Sequence, residues 1–353
     1  MPGERPCGEI GEVQAPATQA LEVTHCPLCE CGDCETVVTG CDRMLGNPGE
    51  FHLVRCSECG LHYLNPRPVQ AANYYGADYE PHVDGGPKVR RWPRRIVRTL
   101  KEDLECAILR YYLGYPPPHE GRVFARALLW PFYIRFTLHE RNWRKLAYEG
   151  RGELLDVGCG TGRYLEWVCE RGWTARGIDV LEDAVARARR KGLEAVTGDL
   201  VRSCPWKSGS FDVVTMWDVI EHLSEPVATL RVIHGLLRAG GRLVIATPNI
   251  DSLPARLLGT YWMPLEMPRH LTLFSPSTIG VLLEKTGFCV ERIRFRRRGT
   301  GIADSVPYLP EGRLKSLCRI LRMRHIRKLI GTVLALARQS DEMVVFARKV
   351  GES

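Results

Sequence analysis

The sequence predicts an α/β protein built on a mostly parallel sheet of seven strands, with helices on both faces of the sheet. One observation behind this prediction is that residues 151–350 alternate short apolar runs with amphipathic runs of helical period. A second observation is that the amphipathic runs stop at glycine, the residue that most often follows a helix end. A third observation sets the front of the chain apart, because seven of the 14 cysteines lie within the first 56 residues.

Strands and helices alternate through the α/β region. The predicted strands cover 153–158, 174–180, 194–199, 211–218, 242–249, 288–296 and 341–349. The predicted helices cover 162–172, 182–192, 226–241 and 275–287. Because a crossover helix returns the chain to the same end of the sheet, strands separated by helices pair in parallel.

Four regions are predicted along the chain. We expect residues 1–20 to be a disordered N-terminal segment and residues 21–80 to form a small cysteine-rich domain. Residues 81–150 are expected to form a basic helical linker or cap, and residues 151–350 the α/β domain. Within the last region, 313–337 reads as a basic amphipathic helical insertion. The chain starts without a secretory signal pattern, and its apolar runs fall short of the roughly 20 residues of a spanning helix, so a cytoplasmic location is expected.

The net charge of +8 is concentrated in two segments. Residues 87–151 carry 15 Lys and Arg against 6 Asp and Glu, and residues 291–330 carry 12 against 3. The favoured interpretation is a helical cap with its arginines in water. Two alternatives stay open: peripheral attachment to the inner face of an anionic membrane, which would reach a lipid-linked acceptor, and binding to nucleic acid.

Two C-x-x-C pairs in the cysteine-rich domain predict a structural zinc site of the ribbon type. The predicted ligands are Cys26, Cys29, Cys56 and Cys59. A rival pair, Cys31 and Cys34, would shift the first knuckle by five residues. A redox function is the other alternative, but it lacks the surrounding βαβ unit of thioredoxin-like proteins.

A glycine loop, "LDVGCGTG" at 155–162, follows the first predicted strand of the α/β domain. Its glycine spacing departs from G-x-G-x-x-G, and the acid Asp156 would repel a pyrophosphate but suit an ammonium group. Asp179, at the end of the second strand, is placed to accept from ribose hydroxyls, and Asp199, after the third, from an adenine amino group. One cation contact, one ribose contact and one base contact describe S-adenosylmethionine better than NAD.

Residues 153–250 resemble the class I S-adenosylmethionine-dependent methyltransferases in "LDVGCGTG", "GIDV", "GDL", "FDVVTMWDVIEHL" and "LRAGGRLVIATPN". The resemblance implies a Rossmann-like sheet and a set of cofactor contacts. These are Asp156, Gly158, Gly160, Gly162, Asp179, Val180, Asp199, Leu200, Trp217 and Asp218. The string "RCSECGLHYLNPRP" is similar to the zinc-ribbon front end of many bacterial methyltransferases that act on small molecules or glycans, which supports the same four zinc ligands.

Two histidines are candidates for catalysis. His222 follows the fourth strand in "DVIEHL", and His270 lies in "PRHLTLFS", within an excursion that commonly builds the acceptor side in this family. Either would act as a base or orient the acceptor, with Glu221 positioning it. The Asp/Asn-Pro-Pro-aromatic motif of base N-methyltransferases is absent, so N-methylation of a base is not expected. A small-molecule or glycan-type acceptor methylated at oxygen is expected, with carbon as the second candidate. An RNA-binding methyltransferase, a nucleic-acid-binding module and an NAD-dependent oxidoreductase are the weaker alternatives.

Overall fold

The computed structural model describes residues 20–74, 95–116, 129–134, 144–297, 299–321 and 323–351. Most of the predicted N-terminal segment, residues 1–19, lies outside this part of the chain, as do 81–94, 117–128 and 135–143 of the predicted linker. The described residues fall into two compact units. One unit holds those of 1–79, 216–235 and 243–353, and the other holds those of 80–215 and 236–242.

Seven strands form one mixed sheet, in the spatial order β12-β13-β10-β9-β6-β7-β8. The strands are β6 Glu153–Val157, β7 Thr174–Asp179, β8 Glu194–Thr197, β9 Phe211–Trp217, β10 Leu237–Pro248, β12 Phe288–Phe295 and β13 Glu342–Lys349. β6, β7 and β8 pair in parallel, and β12 pairs with β13 antiparallel. Every residue of β9 is buried, as expected for a central strand covered on both faces. The predicted α/β fold with a seven-stranded, mostly parallel sheet is confirmed.

Residues 129–134 are helical, and ten further α-helices lie among the described residues. They are α1 Arg95–Leu113, α2 Arg163–Cys169, α3 Glu182–Arg190, α4 Leu200–Ser203, α5 Pro226–Leu236, α6 Leu253–Leu258, α7 Pro276–Lys285, α8 Thr300–Ser305, α9 Arg313–Leu321 and α10 Arg324–Leu336. The helix start predicted at Ser275 is a complete capping box, because the Ser275 and Thr278 side chains each bond the other's backbone N–H.

Two element boundaries differ from the sequence prediction. The helix predicted over 226–241 ends at Leu236, and β10 begins at Leu237. Leu237 is fully buried and Arg238 pairs with Asp212 at 2.7 Å, so tertiary contacts override the helical period of this segment. The single helix predicted over 313–337 is instead two helices, α9 and α10, separated at Met323, whose backbone is extended (φ −57, ψ 128).

The cysteine-rich region forms a four-stranded sheet with a strand from the C-terminal half of the chain. The strands of this sheet are β2 Cys34–Gly40, β3 Phe51–Cys56, β4 His62–Leu64 and β11 Thr272–Leu273, in the order β11-β4-β3-β2. A second, two-stranded sheet pairs β1 Leu21–Glu22 with β5 Arg67–Pro68. β4 and β11 pair antiparallel, with Tyr63 opposite Thr272.

One hydrophobic core serves both the cysteine-rich strands and the excursion after β10. Phe51 and Leu53 from β3 pack in the same cluster as Trp262, Leu265 and Leu273. Trp262 is 1% exposed and Leu53 is fully buried. The strands that carry the cysteines are therefore fixed directly on the segment that carries His270.

Candidate active site

The predicted glycine loop links β6 to α2 and adopts the backbone that its glycines allow. Gly158, Gly160 and Gly162 have φ values of 71°, 51° and 77°, a region that other L-residues rarely adopt. A Cβ on Gly162 would lie 2.5 Å from Leu193 and 3.0 Å from Ala188, so this glycine permits close packing. A Cβ on Gly160 would meet no atom within 4 Å, so the loop is open to a ligand at that position.

Asp156 lies near the end of β6 and is 2% exposed. Its Oδ1 accepts a hydrogen bond of 2.6 Å from the Thr215 hydroxyl. Burial raises the pKa of Asp156 to about 7, outweighing the opposite effect of Thr215. A ligand with a positive charge would therefore stabilise the ionised form of this carboxyl.

Asp179 ends β7 and holds the glycine loop in place. Its Oδ2 accepts from the Gly160 N–H at 2.8 Å, and its Oδ1 accepts from the Leu181 N–H at 3.0 Å. A carboxylate has about four acceptor sites, so these two bonds leave capacity for two hydroxyl donors.

The remaining predicted cofactor residues follow the next strands. Asp199 accepts from the Val201 and Arg202 N–H groups and so caps α4, a function that the sequence analysis did not foresee. Val180 is 61% exposed, whereas Leu200 is buried. In the other unit, Trp217 ends β9 as a buried side chain and Asp218 follows it.

Asp218 is exposed and has a positive φ of 59°, an unusual conformation for this residue type that is frequent at functional sites.

The residues of the second unit fit S-adenosylmethionine. Asp156 would face an ammonium or sulfonium charge, Asp179 would accept from ribose hydroxyls, and the open side of Gly160 would admit the ligand. The site is lined by carboxylates, which accept hydrogen bonds, and by glycine backbone, and not by cationic side chains. Such a lining suits a positively charged nucleoside and not a pyrophosphate.

His222 and His270 lie together in the first unit. Their rings are 4.6 Å apart between centroids and cross edge to face at 69°. His222 ends a short 3₁₀ turn that follows β9, and His270 lies just before β11. His270 is 5% exposed, whereas His222 is partly exposed. The two histidines that the sequence placed 48 residues apart thus form a pair.

Backbone carbonyl groups fix the tautomer of both rings. His222 Nδ1 donates to the Arg269 carbonyl oxygen at 3.0 Å, and His270 Nδ1 donates to that of Pro264 at 2.8 Å. In each neutral ring the proton is therefore on Nδ1, and Nε2 carries the lone pair. Burial lowers the pKa of His222 to about 3 and also lowers the pKa of His270, so both rings are neutral at physiological pH.

Two glutamates accompany the histidine pair. Glu266 Oε2 lies 3.6 Å from His270 Nε2. Glu221 is fully buried, its Oε2 accepts from the Thr247 hydroxyl at 3.1 Å, and burial holds its pKa well above the usual range. Ligand atoms of Glu221, His222 and His270 all lie within 4.8 Å of one another. Two imidazoles and a carboxylate at this spacing can also accept a divalent metal.

Arg269 completes the site, and no sequence pattern predicted it or its partner Asp42. Arg269 donates to Asp42 from Nη1 at 2.8 Å and from Nη2 at 2.9 Å. Its Nε donates to Glu266 Oε1 at 3.0 Å. Position 42 and position 269 lie 227 residues apart, so no local sequence signal could join them.

The four cysteines predicted as zinc ligands converge in the structure. Cys26 Sγ lies 3.5 Å from Cys59 Sγ, Cys29 Sγ lies 3.4 Å from Cys56 Sγ, and all four sulfur atoms lie within 4.8 Å of one another. Tetrahedral zinc with Zn–S bonds of about 2.3 Å places sulfurs about 3.8 Å apart. The set therefore fits a structural zinc ion.

The rival cysteines contribute elsewhere: Cys31 Sγ accepts from the Asp33 N–H, and Cys34 Sγ accepts from Asn65. The cluster found among the described residues contains neither of them.

Comparison with known proteins agrees with this architecture. Residues 133–293 match a family model described as a methyltransferase domain. A ubiquinone biosynthesis O-methyltransferase of Pseudomonas aeruginosa (strain LESB58) is 34% identical over 156 residues, which cover 40% of this chain and 66% of the relative. A probable S-adenosylmethionine-dependent methyltransferase of Mycolicibacterium smegmatis is 32% identical over 173 residues, covering 48% and 65%.

The match to these curated relatives thus covers just under two thirds of their length. A solved S-adenosylmethionine-dependent methyltransferase of Archaeoglobus fulgidus gives a TM-score of 0.42 at 21% identity, over 64% of this chain and 95% of that one, a likeness too low to carry an argument. The family model, the sequence relatives and the glycine loop agree. Residues 133–293 therefore form a methyltransferase domain of the class I S-adenosylmethionine-dependent type.

Proposed function

We propose that this chain transfers the methyl group of S-adenosylmethionine to a hydroxyl oxygen of a small-molecule acceptor, with His222 receiving the hydroxyl proton. The observation that carries the proposal is the Nδ1–H bond from His222 to the Arg269 carbonyl, which leaves Nε2 as the proton acceptor. The relatives named as O-methyltransferases support oxygen as the acceptor atom.

His222 suits this step better than His270. The side chain of His270 is almost fully buried, and its Nδ1 is bonded to the Pro264 carbonyl. His222 is partly exposed and can be reached by an acceptor. We therefore assign His270 to packing against His222 and holding its ring in orientation.

Proton transfer is favourable despite the low pKa of His222. S-adenosylmethionine supplies an electrophilic methyl group on a sulfonium sulfur. When the acceptor oxygen bonds to the methyl carbon, the carbon–sulfur bond would break and S-adenosylhomocysteine would leave. The acceptor O–H then becomes far more acidic than an imidazolium, and His222 Nε2 takes the proton. Before that moment the same lone pair accepts a hydrogen bond from the hydroxyl and orients the oxygen.

We also propose that Cys26, Cys29, Cys56 and Cys59 hold one structural zinc ion, and that Asp156, Asp179 and the glycine loop hold the methyl donor. The zinc would fix the strands that share a core with the His270 segment. Its contribution is then to the shape of the acceptor side and not to the chemistry of methyl transfer.

A methyl-labelled cofactor tests the proposed reaction. The protein is incubated with S-adenosylmethionine carrying a labelled methyl group and with panels of hydroxylated, amino and carbon acceptors. We expect label on hydroxyl oxygen, and a loss of about a hundredfold or more in kcat for His222→Ala with unchanged cofactor affinity. Label found on nitrogen only, or full activity of His222→Ala, would contradict the proposal.

A further inference from the structure

The segment from α9 to the end of α10 carries an unusual charge. Residues 313–338 contain six arginines and two lysines and have no aspartate or glutamate. The formal net charge of the whole chain is also +8. The formal net charge of this segment alone therefore equals that of the whole chain.

The outward face of α10 is apolar, although this helix belongs to a basic segment. α10 packs inward through Gly331 and Leu334, which are buried, and a Cβ on Gly331 would overlap the Arg297 backbone. On the opposite face Leu329 is 66% exposed, Val333 57% and Leu336 73%. These three positions follow helical spacing and form one stripe directed at solvent.

More apolar side chains lie beside this stripe. Ile320 is 52% exposed and Met323 61% exposed, just before α10. At the other end, the Leu253 N–H of α6 donates to the Gln339 carbonyl at 3.2 Å, and Leu257 of the same helix is 62% exposed. Several large apolar side chains exposed on and near one helix are more typical of an interaction site than of ordinary surface.

Basic side chains border the stripe. Arg324 and Lys328 of α10 are exposed, and Arg338 is exposed just beyond its end. A helix with solvent-facing leucines and basic flanks is suited to lie at a bilayer surface, with leucines among the acyl chains and cations at the lipid headgroups. A second copy would bring like charges together, and a nucleic acid would not use the apolar stripe.

We propose that α10, with its exposed stripe Leu329, Val333 and Leu336, docks the protein on anionic phospholipid bilayers. The proposal goes beyond methyl transfer and does not depend on it. No helix among the described residues has the length and apolarity to span a membrane.

Vesicle cosedimentation of the full-length protein tests the proposal. We expect binding to phosphatidylglycerol–phosphatidylcholine vesicles, weaker binding to pure phosphatidylcholine, and a loss of binding as salt is raised. The double variant Leu329→Glu/Val333→Glu should lower the membrane partition coefficient by about tenfold or more. The matched control is Val281→Glu, an exposed valine (48%) on α7, which should bind as the unmodified protein does.

The substituted positions are exposed, so both variants should keep the thermal midpoint of the unmodified protein. Absence of vesicle binding, or equal loss in the Val281→Glu control, would overturn the proposal. A dimer of the unmodified protein, seen in light scattering and lost in Leu329→Glu/Val333→Glu, would also overturn the proposal, because it would assign the stripe to a second copy. Binding to duplex RNA without binding to vesicles would assign the charge to nucleic acid and would overturn it equally.

Discussion

Asp42 and Arg269 form a two-point ion pair with both side chains excluded from solvent. Asp42 follows β2 of the cysteine-rich sheet, and the Arg269 carbonyl accepts the Nδ1–H bond of His222. The Arg269 guanidinium holds the pKa of Asp42 below its usual range despite burial. Through this pair, the cysteine-rich region sets the position of the backbone that orients the histidine.

The ion pair predicts a large loss of stability when one partner is removed. Asp42→Ala leaves the Arg269 guanidinium buried without its main partner, and we expect the free energy of unfolding to fall by about 3–5 kcal/mol. Urea unfolding measures the change. The matched control in the same region is Glu35→Ala, which removes an exposed pair with Arg55 at 3.6 Å and should cost less than about 1 kcal/mol. Equal effects of the two substitutions would disprove the importance of the buried pair.

The histidine pair predicts a stability that falls in mild acid. The folded-state pKa of His222 is about 3 and that of His270 is also lowered, both below the unfolded value near 6.5. The stabilising contribution of the neutral rings is complete above pH 6.5 and decreases as the pH falls through this range. Between pH 7.5 and 5.0 the loss from His222 should reach about 2 kcal/mol. Unfolding of unmodified protein and His222→Gln at pH 7.5 and 5.0 checks this, because the variant should lose less. Parallel pH dependences would contradict the prediction.

The cysteine cluster predicts about one zinc per chain. Elemental analysis of freshly purified protein should find it, and Cys29→Ser should lower the zinc content, since three thiolates bind zinc more weakly than four. Cys31→Ser, next to the site but outside the cluster, should keep full occupancy. Zinc loss from Cys31→Ser with retention in Cys29→Ser would show that the rival register holds the metal.

Asp156 predicts that cofactor binding releases protons at neutral pH. With a pKa of about 7, this carboxyl is protonated in about half of the molecules at pH 7. A bound cation favours the ionised form, so about half a proton should be released per cofactor at pH 7, and less at pH 8. Calorimetry in two buffers with different ionisation enthalpies measures the number. Asp156→Asn should release none, and an equal release from that variant would remove Asp156 from this function.

The sequence predicted the sheet and the glycine loop well because both depend on local patterns. Apolar strand runs, glycine helix stops and the acid before Gly158 each occupy a few neighbouring residues. The four cysteines were also predictable, since metal-ligand spacing repeats as C-x-x-C. Their convergence shows that the two knuckles meet although the sequence separates them.

The acceptor side was harder to predict because it depends on long-range packing. The Asp42–Arg269 pair joins residues far apart in the chain, and neither residue type stands out in its local context. The strand β11 that ties the His270 segment to the cysteine-rich sheet has only two residues and carries no strand pattern. The helix predicted over 226–241 was too long for the same reason, since burial of Leu237 and the Arg238–Asp212 pair decide its end.

Binding calorimetry tests whether the glycine loop and Asp179 hold S-adenosylmethionine. The protein is titrated with S-adenosylmethionine and, separately, with NAD. We expect binding of S-adenosylmethionine only, and a large loss of affinity in Asp179→Ala, because the Asp179 carboxylate holds Gly160 in the unmodified protein. Binding of NAD and not of S-adenosylmethionine would contradict the assignment of the methyl donor, and unchanged affinity in Asp179→Ala would remove Asp179 from the cofactor site.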